Sequence, residues 1–149
     1  MKGQYRIVSE VLLFGIGIGI AILVLTTYQT LSNSISKITF SDQLEGVSEI
    51  ITSNIVKVFE NKNVCWIVLE IPNKVSGREY KIVLDNKNYA TAYLVISDYE
   101  NPKIRVEKEL FNISNNNIDY SEVLSTARYI NISRDVNEKI SISRCEFYE

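Results

Sequence analysis

Two kinds of residue in this sequence could take part in covalent chemistry: a pair of cysteines and two asparagines in acceptor tripeptides. Cys65 and Cys145 are the only thiols among the 149 residues. Asn112 and Asn131 each begin an Asn-Ile-Ser sequence, which fits the Asn-x-Ser/Thr pattern of N-linked glycosylation. Disulfides persist in oxidising compartments and N-glycans are found on secreted proteins, so both modifications depend on where the chain is delivered.

Each pair also has a simpler interpretation. A disulfide between the cysteines would close a loop of about 80 residues and contribute up to ~4–5 kcal/mol in the chain-entropy model. The alternative is two buried free thiols, because the disulfide requires that the two strands carrying them be close in the fold. With 14 Asn and 22 Ser and Thr in the chain, about two acceptor tripeptides are expected by chance.

The sequence supplies little for catalysis or metal binding. It contains no His, which removes the commonest general base and metal ligand. Two cysteines are too few for a Cys-rich zinc or iron–sulfur site. Beyond residue 33 the chain carries 14 Lys and Arg against 17 Asp and Glu, a net charge of −3, which argues against a nucleic-acid partner. We therefore expect a protein that is not an enzyme, with no cofactor and no metal site.

The N-terminus determines where the chain goes. Residues 11–25 are uncharged and apolar, and a Thr/Tyr/Gln fringe extends the run to residue 31. About 20 helical residues cross the hydrocarbon core of a bilayer, so residues 11–31, hereafter the apolar segment, are long enough. Lys2 and Arg6 precede the segment, and the next basic residue is Lys37. The positive-inside rule then places the N-terminus in the cytoplasm and the remainder of the chain outside.

Four interpretations of the apolar segment compete. A cleaved secretory signal would need small residues before the cut, and Thr27, Thr30 and Ser32 form a poor site. A buried helix of a globular domain is disfavoured because every face of the run is apolar. A permanent single-span anchor fits, and so does the helix of a type IV pilin-like protein.

Lys2-Gly3, a short polar stretch, Ser9-Glu10 and then an uninterrupted apolar helix resemble the N-terminus of archaeal type IV pilin-like and archaellin-like proteins. The resemblance implies a class III signal peptide, cut by a prepilin peptidase between Gly3 and Gln4. It also implies assembly of the mature helix with copies of itself or related pilin subunits into a surface filament.

Within that helix, Glu10 and two glycines are candidate assembly residues. A carboxylate in lipid is costly, so Glu10 either stays near the headgroups and pairs with Arg6, four residues earlier, or faces the N-terminal amine of a filament neighbour. Gly15 and Gly19 form a GxxxG pair, which allows two helices to approach closely, either in a filament core or in a simple membrane dimer. The alternating glycines resemble a phosphate-binding turn only superficially, because no strand precedes them.

The rest of the chain predicts an α+β protein in which the long N-terminal hydrophobic helix packs on an antiparallel β-sheet or β-sandwich domain. We divide it into a leader (1–3), a membrane or filament-core helix (4–33), an amphipathic helix (34–62) and an extracytoplasmic β-domain (63–149). Apolar spacing puts one stripe of the amphipathic helix on the sheet, formed by Leu44, Val47, Ile51, Ile55 and Val58.

Details of that helix are also predicted. Ser48, Thr52, Lys57 and Glu60 are assigned to its opposite, solvent-facing side. The polar stretch at residues 32–41 suggests a kink or brief break, after which Asp42 and a following glutamate could form a capping box where the helix restarts.

Alternating apolar residues and turn signals predict five or six short strands. They fall at residues 64–71, 78–84, 89–97, 104–110, 128–133 and 139–147, while residues 119–127 are ambiguous between helix and strand. Residues 71–82 also resemble a hairpin that recurs in archaeal pilin-like ectodomains.

These patterns together lead to one expected function and one alternative. The expected protein is a structural subunit of a pilus-like filament, held in the membrane before assembly, with lipid, other subunits and the prepilin peptidase as partners. The alternative is an uncleaved single-span membrane protein that presents its β-domain to a binding partner.

Overall fold

The computed structural model describes residues 2–61, 65–87 and 91–145, with side chains from Ile7 onward. The chain divides into two compact units, Met1–Ile38 and Thr39–Glu149. The first unit is the N-terminal part of helix α1, which extends from Lys2 to Glu60.

Helix α1 continues through residues 32–41, so the predicted break there is wrong. A serine hydroxyl that bonds to a carbonyl of its own helix does not compete with the helix. Ser34, for example, donates its hydroxyl to the Thr30 carbonyl at 2.9 Å. Asp42 consequently lies in mid-helix and does not cap a helix start.

Within the second unit, α1 buries the predicted apolar stripe. Leu44, Ile51, Ile55 and Val58 are completely buried, and Val47 nearly so. The assignment of Ser48 to the solvent face is wrong. It lies four residues after Leu44, on the same face, and its buried hydroxyl donates to the Glu45 carbonyl at 2.7 Å.

Among the described residues, seven strands and two short 3₁₀ turns follow the helix. The strands are Cys65–Glu70 (β1), Tyr80–Asp85 (β2), Tyr93–Asp98 (β3), Arg105–Glu109 (β4), Ser121–Leu124 (β5), Tyr129–Arg134 (β6) and Ile140–Arg144 (β7). The six predicted strands are confirmed where the chain is described. Predicted positions 64, 89, 90, 146 and 147 lie outside the described residues. The ambiguous region at 119–127 supplies β5 and the 3₁₀ turn Ser125–Ala127.

The strands form two antiparallel sheets. One has the order β1-β6-β7 and the other β4-β3-β2-β5. The sheets meet where β5 lies beside β7. There the Asp119 amide donates to the Ile140 carbonyl at 2.9 Å, and the Ile142 amide donates to the Ser121 hydroxyl at 3.0 Å.

One face of each sheet joins the helix stripe in a single apolar core. In β2, β3 and β6 buried residues alternate with half-buried ones along most of each strand, as expected when one face of a sheet is covered. Core residues from both sheets, such as Ile82, Leu94 and Ile132, belong to the same cluster as Ile51 and Ile55 of α1. The predicted α+β class, a long N-terminal helix packed on antiparallel sheets, is therefore confirmed.

The segment expected to form a hairpin at residues 71–82 is only a tight turn. Val75 and Arg78 exchange two backbone hydrogen bonds of 2.9 Å around Ser76 and Gly77, which both have positive φ angles, as a type I′ turn requires. The pairing stops there, because β1 and β2 on either side belong to different sheets.

The end of α1 is tied to the sheet by Arg134 of β6. Its Nη1 donates to the Phe59 carbonyl at 3.0 Å and to the Asn61 carbonyl at 2.6 Å. Its Nη2 lies 3.3 Å from a Glu138 carboxylate oxygen. The last carbonyls of a helix lack partners within the helix and carry partial negative charge, so a guanidinium there satisfies both needs.

Candidate functional site: the apolar segment of α1

The described side chains of the apolar segment are exposed along its whole length. Every described side chain from Ile7 to Thr39 is exposed, including large ones such as Phe14 at 71% and Leu23 at 66%. Soluble monomers rarely expose contiguous apolar patches larger than a few hundred Å². The interpretation as a buried helix of a globular domain is therefore wrong, and this surface is suited to lipid or to contact with other protein.

The exposed surface surrounds the helix. Ile16, Ile18, Ile20 and Ile22 are all exposed, although successive members lie about 200° apart around the axis. A surface helix of a globular protein keeps one apolar stripe and one polar face. An apolar surface on all sides instead suits a bilayer or the interior of a helix bundle.

The polar fringe lengthens the segment without breaking its apolar character. Thr26 and Thr27 both donate their hydroxyls to the Leu23 carbonyl, at 2.9 and 2.8 Å. Thr30 donates to the Thr26 carbonyl at 2.9 Å, and Ser34 repeats the pattern one turn later. Hydroxyls bonded in this way need no water, so they can enter a hydrocarbon environment.

With this fringe, the length of the segment matches a membrane. Its 21 residues rise about 31 Å as a helix, close to the ~30 Å hydrocarbon core of a bilayer. By length and composition, α1 contains one stretch that could cross a membrane. Sequence inspection suggested this span but missed the carbonyl-bonded hydroxyls, whose only signal is the presence of Ser and Thr within a continuous helix, where a carbonyl always lies three or four residues earlier.

The glycines of the segment have no packing role in their own chain. A Cβ atom built on Gly15, Gly17 or Gly19 would meet nothing within 4 Å. Glycine weakens a helix by roughly 1 kcal/mol relative to alanine, so three of them in one span are a cost without a local benefit. Gly15 and Gly19 lie on one face, where they leave a notch in which a second helix could approach closely.

The remaining candidate residues of the N-terminus are placed as follows. Glu10 is exposed on α1, immediately before the apolar segment. Gly3 and Gln4 fall within the helix, before the first residue whose side chain is described. Whether the peptide bond between them is cut stays a prediction.

The structure does not bring the two cysteines together. Cys65 pairs with Arg134 at one end of β6, while the Cys145 amide donates to the Tyr129 carbonyl at the other end. Five residues along a strand correspond to roughly 17 Å, and β6 lies between β1, which begins at Cys65, and β7, which ends one residue before Cys145. A disulfide needs Cα atoms within about 7 Å, and both thiols are free here.

The two acceptor asparagines are also far from equivalent. Asn112 is exposed in the connection between β4 and β5, whereas Asn131 lies in the middle of β6.

Comparisons with known proteins do not assign this chain to a family. The chain matches no family model, no curated protein and no solved structure. The apolar segment and the domain that follows it therefore carry the functional argument by themselves.

Proposed function

We propose that this protein is a structural subunit of an archaeal type IV pilus-like surface filament. It is first anchored in the membrane by the apolar segment and then assembles through it. The observation that carries the proposal is the complete exposure of an apolar helix that continues into the core of a folded β-domain. Such a helix needs a new apolar environment if it leaves the membrane, and copies of the same helix provide one.

The charge pattern supports the topology before assembly. Basic residues Lys2 and Arg6 precede the segment, and Lys37, exposed on α1, is the next one along the chain. The bias places the N-terminus in the cytoplasm and the β-domain outside the cell. The Lys2-Gly3 pair is then on the side of the membrane where the resemblance implies cleavage by a prepilin peptidase.

The open space beside Gly15 and Gly19 favours assembly with other helices over simple anchoring in lipid. An anchor surrounded by lipid gains nothing from notches at Gly15 and Gly19, because lipid chains adapt to any helix surface. In a filament the notches let neighbouring backbones approach closely. The partners are accordingly membrane lipid, other subunits and the peptidase, and the proposed role is structural, without enzymatic activity, cofactor or nucleic-acid partner.

The glycines also provide a test with a matched control. Gly15→Leu combined with Gly19→Leu fills the notch, whereas Gly17→Leu adds the same side chain on a different face. A Cβ at any of the three positions meets no other atom within 4 Å, and all three lie outside the second unit, so membrane levels and domain folding are expected to stay unchanged. Assembly is measured as the protein sheared from intact cells and sedimented at high speed.

We expect the double variant to reduce the sheared fraction by at least about tenfold, equivalent to ~1.4 kcal/mol per subunit contact, and Gly17→Leu to reduce it far less. If the unaltered chain stays entirely in the membrane fraction, the alternative of an uncleaved single-span protein that presents its β-domain to a partner replaces the filament proposal. Equal losses in both variants would remove the role assigned to the notch.

A further inference from the structure

The two glycosylation tripeptides of this chain are identical in sequence and opposite in structural setting. Asn112 and Asn131 both begin Asn-Ile-Ser, so the tripeptide itself gives a glycan-transferring enzyme no basis for choosing between them. We propose that Asn112 is the N-glycosylation site of the folded protein and that Asn131 is protected by the fold. In cells the modification rests on the proposed function in one respect, since the domain must lie outside the cytoplasm.

Asn112 is held at the tip of an exposed turn. The Ile113 amide donates to the Leu110 carbonyl at 3.2 Å, which closes the turn and leaves Phe111 and Asn112 exposed. Asn112 has φ = 68°, a left-handed conformation that asparagine tolerates better than most residues. Leu110 and Ile113 are buried and fix both ends of the turn, so the backbone that carries the exposed Asn112 is held in place.

The hydroxyl residue of this tripeptide is accessible as well. Ser114 is exposed and extended, with φ = −71° and ψ = 148°. Its hydroxyl oxygen accepts a long contact of 3.4 Å from the Asn116 amide, at the start of the 3₁₀ turn Asn115–Asn117. The tripeptide belongs to no strand, so a transferring enzyme can bind it without breaking a sheet.

Asn131 lies in the central strand of its sheet. It pairs with Val68 of β1 on one side and with Ser143 of β7 on the other. Its amide oxygen is buried and has no hydrogen-bond partner among the described residues. The hydroxyl of Ser133, the third residue of this tripeptide, is 3.3 Å from the hydroxyl of Ser141 on the neighbouring strand.

Modification of Asn131 therefore requires β6 to leave the sheet. Its neighbours in sequence, Ile130 and Ile132, are completely buried core residues and would have to be exposed with it. Core strands open only in rare, nearly global unfolding events. Stable domains spend about 10⁻³ to 10⁻⁶ of the time unfolded, so Asn131 is available in at most that fraction of molecules.

The chemistry needs only an accessible amide and an activated sugar. The Asn112 side-chain nitrogen attacks the anomeric carbon of a sugar linked to a polyprenyl phosphate carrier. The nitrogen–carbon bond forms as the carbon–oxygen bond to phosphate breaks. The phosphate leaves with the electron pair, and the amide nitrogen gives one proton to a base of the transferase.

The test uses the full-length chain, purified in detergent, with a purified oligosaccharyltransferase and its lipid-linked oligosaccharide. Site occupancy is followed over time by peptide mass spectrometry in the unaltered chain, in Asn112→Gln and in Asn131→Gln. Synthetic peptides covering residues 109–117 and 128–136 report how well the enzyme accepts each sequence without the fold. Both peptides must be modified under the conditions used.

We expect one glycan on the unaltered chain and on Asn131→Gln, and none on Asn112→Gln. After correction for the peptide rates, the initial rate at Asn112 should exceed that at Asn131 by at least ~100-fold, given the rarity of the open state. Comparable rates at the two sites of the folded chain would overturn the proposal. So would a folded chain that stays unmodified at Asn112 while both peptides react.

This experiment is independent of cellular location, because enzyme and acceptor share one solution. The location is tested separately by adding protease to intact cells and following loss of the β-domain. A domain that resists protease in intact cells but is destroyed after lysis would contradict the proposed topology and leave the choice of Asn112 unaffected.

Discussion

Replacing Arg134 is expected to detach the end of helix α1 from the β-domain. The side chain is 7% exposed, and its guanidinium joins the carbonyls of Phe59 and Asn61 to the carboxylate of Glu138. It also lies 5.7 Å from the centre of the Phe59 ring, within the range of a cation–π contact. Arg134→Ala removes all of these contacts at once.

The size of the effect follows from the contacts. A hydrogen bond from a charged donor contributes about 1.5–3 kcal/mol, and two such bonds reach the helix carbonyls. Asn61 is exposed, so water can replace its lost partner, and we count mainly the Phe59 bond and the helix-end charge. The expected loss is about 2–3 kcal/mol. For a unit of about 110 residues this lowers the melting temperature by roughly 10 °C.

The measurement is thermal unfolding of the full-length chain in detergent, followed by near-ultraviolet circular dichroism of the β-domain. Arg144→Ala is the matched control, because Arg144 is an exposed arginine at the end of the adjacent strand, β7. We expect its melting temperature within about 2 °C of the unaltered chain, as for most surface substitutions. Equal melting temperatures for Arg134→Ala and the unaltered chain would refute the role of Arg134 at the helix end.

Three further outcomes are expected. Burial raises the pKa of the Tyr80 hydroxyl, which donates to the Pro72 carbonyl at 2.7 Å. The stabilisation that the protonated Tyr80 hydroxyl gives the folded state is complete below the unfolded-state pKa of about 10 and is lost as pH rises above it. The urea midpoint of the unaltered chain should therefore fall more steeply above about pH 10 than that of Tyr80→Phe. Equal slopes of urea midpoint against pH in the two chains would exclude this contribution. Cys65 and Cys145 should both react with a thiol reagent in denaturant without reductant, and a chain with no reactive thiol would disprove the strand placement. Glu10→Gln should lower filament yield by about tenfold at an unchanged membrane level if Glu10 sets the stagger of subunits, and an unchanged yield would show that it does not.

Periodicity carried most of what the sequence could predict. The stripe from Leu44 to Val58 repeats at helical spacing, so its burial was foreseen residue by residue. The strands were located by alternation and turn residues, and β5 was left ambiguous because Ser121–Leu124 is short and leads directly into a 3₁₀ turn.

Pairing between distant parts of the chain could not be predicted in the same way. Strands β1 and β2 are consecutive in sequence but lie in different sheets, and β1 pairs instead with β6, about 60 residues away. The contact of Arg134 with the end of α1 is equally remote, because nothing near Phe59 in the sequence points to it. The same non-local topology separates Cys65 from Cys145. The sequence shows that both residues are cysteines, but it does not show the distance between them, so it could not decide whether they form a disulfide.

The apolar segment could be located from the sequence more easily than the pairing of the strands, because it is formed by one continuous helix. Its length, apolar faces and GxxxG spacing are local properties that the sequence displays directly. The structure added two points that composition could not supply: the hydroxyls of the fringe bond within the helix, and a Cβ at any of its three glycines would meet nothing within 4 Å.

The most direct test of the filament proposal is the mass of the native N-terminus in protein sheared from the cell surface, compared with protein left in the membrane. The proposal predicts that sheared material begins at Gln4 and sediments as filaments. Gly3→Leu, which alters the residue before the proposed cut, should leave only uncut chain in the membrane fraction. A surface filament whose subunits begin at Met1 or Lys2, or a chain found only intact in the membrane, would contradict it.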